Sequence, residues 1–259
     1  MLPKFLKPVN VKKSNLIRLG PKKDGGYVID KRILGKSKTL ISCGLNDDWE
    51  FEKDFLKKNG ECSIHAFDHT ITKDFWKKRF KKDIIALLLL KKLKFNKILD
   101  VFKYCDYQFF FRENKKHHLK KIVPKRKNSK QITITEILKR YRTVVLKIDI
   151  EGDEYKILKD IGKNIKKILF LIIELHNINK NLRQIKNFLK NSDLKIIHIH
   201  GNNYGDVNEK GNPNVIELSL INSRIIKISN SLSKKKYPIK NLDYKNLKRR
   251  NDIKIKFAR

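Results

Sequence analysis

The chain has 259 residues, a formal net charge of +35 and a hydrophobic content of 40%. That content supports a full core, so a disordered chain is excluded despite the charge. The length predicts one α/β domain, since such folds often reach this size without splitting. We expect this single domain to span 1–259, with an N-terminal arm (1–35), a basic helical insertion (71–130) and a basic C-terminal tail (223–259).

The excess of basic residues has three interpretations. Lysine, isoleucine and asparagine are abundant, whereas arginine is scarce. The codon bias of an AT-rich genome explains this composition first, and attraction to an anionic membrane or glycan surface explains it second. Nucleic-acid recognition comes last, because arginine is the better bidentate ligand for phosphate.

The cysteines, the N-terminus and the longest apolar run indicate the cellular location. Cys43, Cys62 and Cys105 are odd in number and widely spaced, which argues against a disulfide framework or a zinc site. Residues 1–13 lack the apolar core and cleavage site of a secretory signal. The longest apolar run, 84–90, is far shorter than the roughly 20 residues that span a bilayer. A cytoplasmic protein is predicted, with peripheral attachment to a membrane as the alternative.

Strand and helix patterns alternate in the first third of the chain. A buried strand is predicted over 39–43, a helix over 50–59 that stops at Gly60, and a second strand over 63–67. Strand, helix and strand within about thirty residues are typical of a βαβ unit.

The basic region 71–130 has a less regular pattern. We predict a helix over 73–104, a strand over 107–112 and a basic loop over 117–130. His117 and His118 lie in that loop and are interpreted as solvated rather than as a ligand pair.

The second half alternates again. A helix with Thr135 as its N-cap leads into a strand over 144–150. The remaining predicted elements are strands over 168–175, 194–200 and 214–221, a helix over 180–191 and an edge strand over 254–257. The strands over 194–200 and 214–221 follow each other without a helix, which predicts an antiparallel pair.

Polar side chains end three of these strands. The alternation of side chains along a strand places on one face Asp149 with Glu151, Glu174 with His176, and His198 with His200. Carboxylates are costly to bury unless they are paired, and open α/β sheets bind ligands at the carboxyl ends of their strands. The pattern therefore predicts an enzyme whose site lies where the first two of these strands run parallel and adjacent.

The first βαβ unit indicates a nucleoside ligand. Gly44 follows the first strand and would let the backbone approach a ligand closely, and Asp68 ends the second strand, where it can accept hydrogen bonds from two ribose hydroxyls. Neither a GxGxxG loop nor a GxxxxGK[ST] loop is present. A nucleoside without a bound pyrophosphate fits better, and S-adenosylmethionine is such a cofactor.

Seven short segments stand out in chain order: DGGYVI (24–29), SCGLNDDWEFE (42–52), AFDHT (66–70), LKIDIEGDE (146–154), IELH (173–176), HIHGNN (198–203) and PNVIEL (213–218). Together they resemble the FkbM-type family of S-adenosylmethionine-dependent methyltransferases over about residues 18–220. Two departures are a minimal glycine loop after the first strand and a long basic stretch over 71–130.

The resemblance implies a Rossmann-like methyltransferase fold with helices on both faces of a seven-stranded sheet, one strand antiparallel, in the order 3-2-1-4-5-7-6. It implies that Gly44 approaches the methionine part of the cofactor, that Asp68 holds the ribose, and that Asp149 and Glu151 lie beside the methyl donor and the acceptor. The family mostly methylates oxygen, often on sugars or glycan-like products.

Methylation of a hydroxyl requires removal of its proton. His176 is the first candidate for the general base and His200 the second. Alternatively, Asp149, Glu174 and His176 hold a divalent cation such as Mg²⁺ that lowers the pKa of the hydroxyl. Trp49 packs either near the cofactor or in the core.

The expected partner is a small-molecule or glycan acceptor. Two other classes of protein remain open at this point. One is a non-catalytic basic module that binds RNA or an anionic membrane surface. The other is an RNA methyltransferase, for which Tyr104, Tyr107 and the phenylalanines at 109–111 would be stacking platforms.

Overall fold

The computed structural model describes residues 1–88 and 102–258. Its strands are β1 (Leu16–Leu19), β2 (Tyr27–Asp30), β3 (Thr39–Cys43), β4 (Ser63–Phe67), β5 (Lys115–His118), β6 (Lys121–Ile122), β7 (Gln131–Ile132), β8 (Val144–Ile148), β9 (Ile168–Leu175), β10 (Leu194–Gly201) and β11 (Ile216–Asn222). Its α-helices are α1 (Glu50–Asn59), α2 (Lys73–Leu88), α3 (Lys103–Phe110), α4 (Ile134–Leu138), α5 (Glu154–Lys163) and α6 (Ile178–Lys190).

Seven strands form the central sheet, in the order β5-β4-β3-β8-β9-β11-β10. Strand β11 runs antiparallel to both of its neighbours, and the other pairings are parallel. The α/β class and the order 3-2-1-4-5-7-6 are thus confirmed, as is the predicted antiparallel pair, which is β10 with β11. Because β8 and β9 are adjacent and parallel, their carboxyl ends meet at one edge of the sheet.

The middle of the sheet is buried on both faces. Every residue of β3, β8 and β9 is buried, which is why their sequences are nearly unbroken apolar runs. Parallel strands need a crossover, and α5 supplies it between β8 and β9. This helix was not predicted. It buries Ile157, Leu158 and Ile161 and begins within the run of acids that ends β8.

The N-terminal arm contains secondary structure that was not predicted. Its strands β1 and β2 form an antiparallel hairpin that was not expected from the sequence. The hydroxyl of Ser219 on β11 donates to the carbonyl of Val28 on β2, which ties the hairpin to the central sheet. Single bridges join Leu2 to Phe257 and Val9 to Leu232, so the N-terminal segment also contacts the basic tail.

Several predictions for the basic region were wrong. Helix α3 replaces the strand predicted over 107–112, and β5 forms the edge of the central sheet where a loop was expected. The predicted helix over 73–104 is described as far as Leu88, and its part over 89–101 lies outside the described residues.

Two further details differ from the predictions. The N-cap of α4 is Thr133, not Thr135, because Thr133 and Glu136 form a reciprocal capping box. The predicted edge strand over 254–257 is reduced to isolated bridges at Ile255 and Phe257. Among the described residues, no helix is long and apolar enough to cross a membrane.

Candidate active site

A cavity of about 660 Å³ opens at the carboxyl ends of β3, β4 and β8. This is the position at which open α/β sheets bind ligands, and the volume suits a nucleoside-sized molecule. It is lined by Gly44, Asp68, Asp149 and Glu151, the four residues that the sequence analysis assigned to cofactor binding. The cavity is also lined by Asp24, Gly25 and Tyr27, so the N-terminal hairpin forms part of its wall.

Gly44 begins the loop after β3 and has a positive φ of 83°. A Cβ atom at this position would lie 1.6 Å from the carbonyl oxygen of Asp149. The amide of Asp149 donates to the carbonyl of Cys43 at 2.8 Å, which continues the β3–β8 ladder past the strand ends. Gly44 was predicted to let a ligand approach closely. In the structure, a glycine is needed there because the backbone of Asp149 lies against it.

Asp68 is buried at the end of β4 and fixes two loops. Its Oδ2 accepts from the amides of Leu45 and Asn46 at 2.9 and 3.0 Å. Its Oδ1 accepts from the amide and hydroxyl of Thr70 at 2.7 and 2.6 Å. Burial alone would raise the pKa of Asp68, but these hydrogen bonds lower it. Asp68, which was predicted to bind the ribose, is thus a charged carboxylate that also holds the two neighbouring loops in place.

Asp149 lies directly after β8 and faces the cavity. Its Oδ2 accepts from the hydroxyl of Tyr27 at 3.1 Å. Burial raises the pKa of Asp149 to about 6, with the Glu151 carboxylate adding to the shift and the Lys147 ammonium opposing it. At neutral pH Asp149 is therefore mostly ionised and can hold a cationic group.

Lys147 is a buried lysine near the carboxyl end of β8 and also lines the cavity. Its Nζ lies 3.4 Å from Oε1 of Glu52, a fully buried residue of α1. Burial by itself would lower the pKa of Lys147, but the carboxylates of Glu52 and Asp149 outweigh it and raise the pKa. Sequence reasoning did not assign this residue, although a lysine within an apolar strand was the available signal.

His176 follows β9 and lies beside the cavity. Its Nδ1 is 3.2 Å from Oε1 of Glu154, which is fully buried. The same Oε1 accepts from the amides of Ile150 and Gly152 at 3.2 and 3.0 Å. Because this oxygen is an acceptor, Nδ1 carries one proton, and Nε2 is the nitrogen that gains or loses the second proton. Burial opposes charging of the ring, but Glu154, Asp149 and Glu151 together raise the pKa of His176.

Glu151 reaches this site by a turn, not by strand alternation. Strand β8 ends at Ile148, and Glu151 has a positive φ of 54°, so the predicted shared face with Asp149 does not apply. The turn nevertheless places Oε2 of Glu151 3.5 Å from Nε2 of His176. Asp149, Glu151 and His176 have ligand atoms within 4.8 Å of one another.

Glu174 belongs mainly to a different group. Its ligand oxygen lies within 4.8 Å of those of Asp24 and Glu217, and it is 3.7 Å from Nε2 of His176. Asn202 donates to Glu174 at 2.8 Å. Burial, Asp149 and Glu217 raise the pKa of Glu174 well above its usual range. The predicted cation ligands Asp149, Glu174 and His176 are thus divided between two clusters.

His200 is placed away from the cavity lining. Its Nδ1 lies 3.2 Å from Glu217 and its Nε2 lies 3.1 Å from Asp252. Burial works against the charge, but Glu217 and Asp252 raise the pKa of His200 to about 10. A protonated ring with both nitrogens engaged has no free lone pair, which argues against the predicted role as second general base.

This pairing has a consequence for stability. A group whose pKa rises on folding contributes stability that is complete below its ordinary value and is lost as the pH passes its folded pKa. We expect the free-energy difference between wild type and His200→Gln to shrink as the pH rises from about 7 to about 10. Urea denaturation across that range measures it, and a constant difference would contradict the charged pairing.

Trp49, His117 and His118 belong to a layer of aromatic rings beside the site. Trp49 is 2% exposed and its ring packs edge-on against Trp76 and Tyr107, as expected for a core residue.

The interpretation of His117 and His118 as residues of a solvated loop was wrong. Both lie half-buried on β5, with His117 Nε2 2.9 Å from the carbonyl oxygen of Asp68 and His118 stacked on Phe67.

The sheet order, the single antiparallel strand and a nucleoside-sized cavity at the strand tips together define a Rossmann-like methyltransferase fold. The sequence matches the model of the methyltransferase FkbM domain over residues 36–204. Because that match covers more than half of the chain, the protein belongs to the FkbM methyltransferase family. A comparison with curated proteins gives no match.

Solved structures with a related fold include several methyltransferases. A fibrillarin pre-rRNA processing protein of Methanococcus jannaschii is 11% identical, with 73% of this chain and 67% of that chain covered and a TM-score of 0.37. A putative methyltransferase from Thermoplasma acidophilum is 10% identical, with 71% and 68% covered and a TM-score of 0.36. The O-methyltransferase NcsB1 from neocarzinostatin biosynthesis, in complex with S-adenosylmethionine, is 8% identical, with 73% and 50% covered and a TM-score of 0.30.

Proposed function

We propose that the protein is an S-adenosylmethionine-dependent O-methyltransferase whose acceptor is a sugar or glycan hydroxyl. The observation that carries the proposal is the contact of His176 with the buried Glu154 beside the cavity, which leaves Nε2 as the nitrogen that accepts a proton when the ring is neutral. Membership of the FkbM methyltransferase family supports the transfer of a methyl group.

The donor groups of the cavity fit this cofactor. Phe67 and Ile122 supply apolar wall near Asp68 on the β4 side, which suits an adenosine. On the β8 side Lys147 is a cation and Asp149 an anion, which suits the two charges of an amino acid. When bound, the cofactor supplies a methyl group on a sulfonium that a nucleophilic oxygen can attack.

The residues of the chain provide positioning and proton transfer. The acceptor hydroxyl gives its proton to Nε2 of His176, and the imidazolium so formed is stabilised by the carboxylate of Glu154. Asp149 holds positive charge near the reacting centre. Correct orientation of two reactants supplies about 7–11 kcal/mol of the rate acceleration, so the rigid strand ends that carry these groups contribute directly.

The acceptor side of the cavity favours a polyhydroxylated molecule. Asp24, Asp48, Glu151 and Asn246 line it with hydrogen-bond acceptors and an amide, and Tyr204 adds an aromatic ring. Sugar hydroxyls donate to such carboxylates. The predicted association with anionic surfaces stays a prediction. The helix that would make it, α2, exposes Phe80 (49%), Ile85 (55%) and Leu88 (78%).

The proposal is tested by binding and then by transfer. We expect calorimetry to give a dissociation constant on the order of micromolar for S-adenosylmethionine. With cofactor labelled in its methyl group, we expect the label in the polysaccharide fraction of cell extract, and Asp149→Asn should reduce this incorporation by at least about tenfold. No cofactor binding would refute the proposal, and label in RNA would favour an RNA methyltransferase.

The same transfer assay tests whether the reaction needs a divalent cation. The proposal assigns proton removal to His176 alone, so transfer should survive exhaustive chelation. Activity that is lost with chelator and restored by Mg²⁺ would instead assign the proton step to a metal held by Asp149 and its neighbours.

A further inference from the structure

Among the described residues, Lys147 is the only buried lysine, with 4% of its surface exposed. Burial of a charged side chain is costly unless the charge is paired. An apolar residue would fill the same place in β8 without that cost, as Leu146 and Ile148 do on either side. The ammonium therefore calls for an explanation other than packing.

Only one of the three polar contacts of Lys147 has a normal hydrogen-bond length. Its Nζ donates to the carbonyl of Gly44 at 3.0 Å, which is a normal length. The Ser42 hydroxyl at 3.5 Å and Oε1 of Glu52 at 3.4 Å are both more distant. Oε1 of Glu52 already accepts the Ser42 hydroxyl at 2.5 Å. An ammonium has three N–H donors, and a ligand carboxylate can replace one of the two longer contacts.

The remaining charges around the cavity leave few places for an anion. The carboxylates that line it are those of Asp24, Asp47, Asp48, Asp68, Asp149, Glu151 and Asp153. Of the other lysines in the lining, Lys23 lies 3.8 Å from Asp48 and Lys121 lies 3.4 Å from Asp153. Lys120 also lines the cavity and follows β5, on the side of the sheet where Asp68 lies. Such a lining suits a sulfonium and an ammonium but repels a carboxylate everywhere except beside a cation.

Lys147 lies on β8 and Asp68 directly follows β4, so β3 stands between them in the sheet. Lys147 contacts the carbonyl of Gly44 after β3, whereas Ile122 follows β5 on the side where Asp68 lies. A nucleoside placed at Asp68 would therefore direct its aminoacyl chain towards Gly44, Lys147 and Asp149.

We infer that Lys147 binds the carboxylate of the aminoacyl end of S-adenosylmethionine, with Asp149 facing its positively charged groups. This inference rests on the proposed function. It assigns to Lys147 a cofactor-binding role and to Glu52 the role of holding the ammonium in place. It also explains why the charge is kept in a strand that is otherwise apolar.

The test compares two ligands that differ only in that carboxylate, S-adenosylmethionine and decarboxylated S-adenosylmethionine. Calorimetry without an acceptor measures both dissociation constants for each variant. We expect wild type to prefer the carboxylated ligand by about 10- to 100-fold, the range of a hydrogen-bonded ion pair. In Lys147→Met the preference should fall to within about threefold, and Lys147→Arg should restore part of it.

Controls separate this role from folding. Lys186→Met removes an equal charge from the exposed surface of α6 and should leave the preference unchanged. If Lys147→Met is unstable because Glu52 is left unpaired, the double variant Glu52→Gln/Lys147→Met removes both charges, and its preference should again be lost. A preference that persists in Lys147→Met or in the double variant would overturn the inference. Wild type that binds both ligands equally would also overturn it, whereas wild type that binds neither would refute the proposed function itself.

Discussion

The His176→Gln variant should lose about 10²- to 10⁴-fold in kcat, the usual contribution of a general base. Its affinity for S-adenosylmethionine should stay within about threefold of wild type, because His176 lies beside the cavity and not in its lining. The measurement is transfer of labelled methyl to the acceptor fraction, with the cofactor dissociation constant determined in parallel.

The pH profile distinguishes a base from a structural histidine. In wild type, kcat should rise with pH through the pKa of His176, which lies above its ordinary value. Glu154→Gln keeps the shape of the side chain but removes the negative charge that favours the imidazolium, so this rise should move to lower pH. The assignment is wrong if His176→Gln keeps most of its kcat, or if the Glu154→Gln profile is unshifted while transfer is intact.

The sequence was sufficient to predict the strands that are buried on both faces. The runs at 39–43, 63–67 and 168–175 match β3, β4 and β9 residue for residue, because a doubly buried strand requires an unbroken apolar run. Helix α5 and the strand β5 were not found. Acidic residues occupy the start of α5, and lysines and histidines make up β5, the edge strand of the described sheet.

The site was predicted in outline because strand ends meet. Asp149, Glu151 and His176 come together as expected once β8 and β9 are parallel neighbours. The pairing of His176 with Glu154 and of Lys147 with Glu52 was not predictable from spacing, because each joins a strand to a helix through tertiary contact. Likewise, the engagement of both His200 nitrogens depends on Glu217 and Asp252, which the sequence places 17 and 52 positions away.

Gly44 is the position where sequence and structure give different reasons for the same residue. The sequence suggested close approach to a ligand, whereas the structure has the Asp149 carbonyl against it. We expect Gly44→Ala to lower the free energy of unfolding by about 4 kcal/mol or more. Single substitutions cause losses of this size only through severe defects such as strained backbone. The reason is twofold: a positive φ of 83° and a Cβ that would lie 1.6 Å from a backbone oxygen. Urea denaturation gives the value.

Gly35→Ala is the matched control for Gly44→Ala. Gly35 has a similar φ of 75°, but a Cβ there would meet nothing within 4 Å. Its substitution should cost only the left-handed conformation, about 1–2 kcal/mol. The difference between the two variants therefore isolates the clash with Asp149, and equal losses would contradict the close β3–β8 approach. Because Asp149 would have to move, Gly44→Ala should also weaken cofactor binding, while Gly35→Ala, which does not line the cavity, should leave the dissociation constant unchanged.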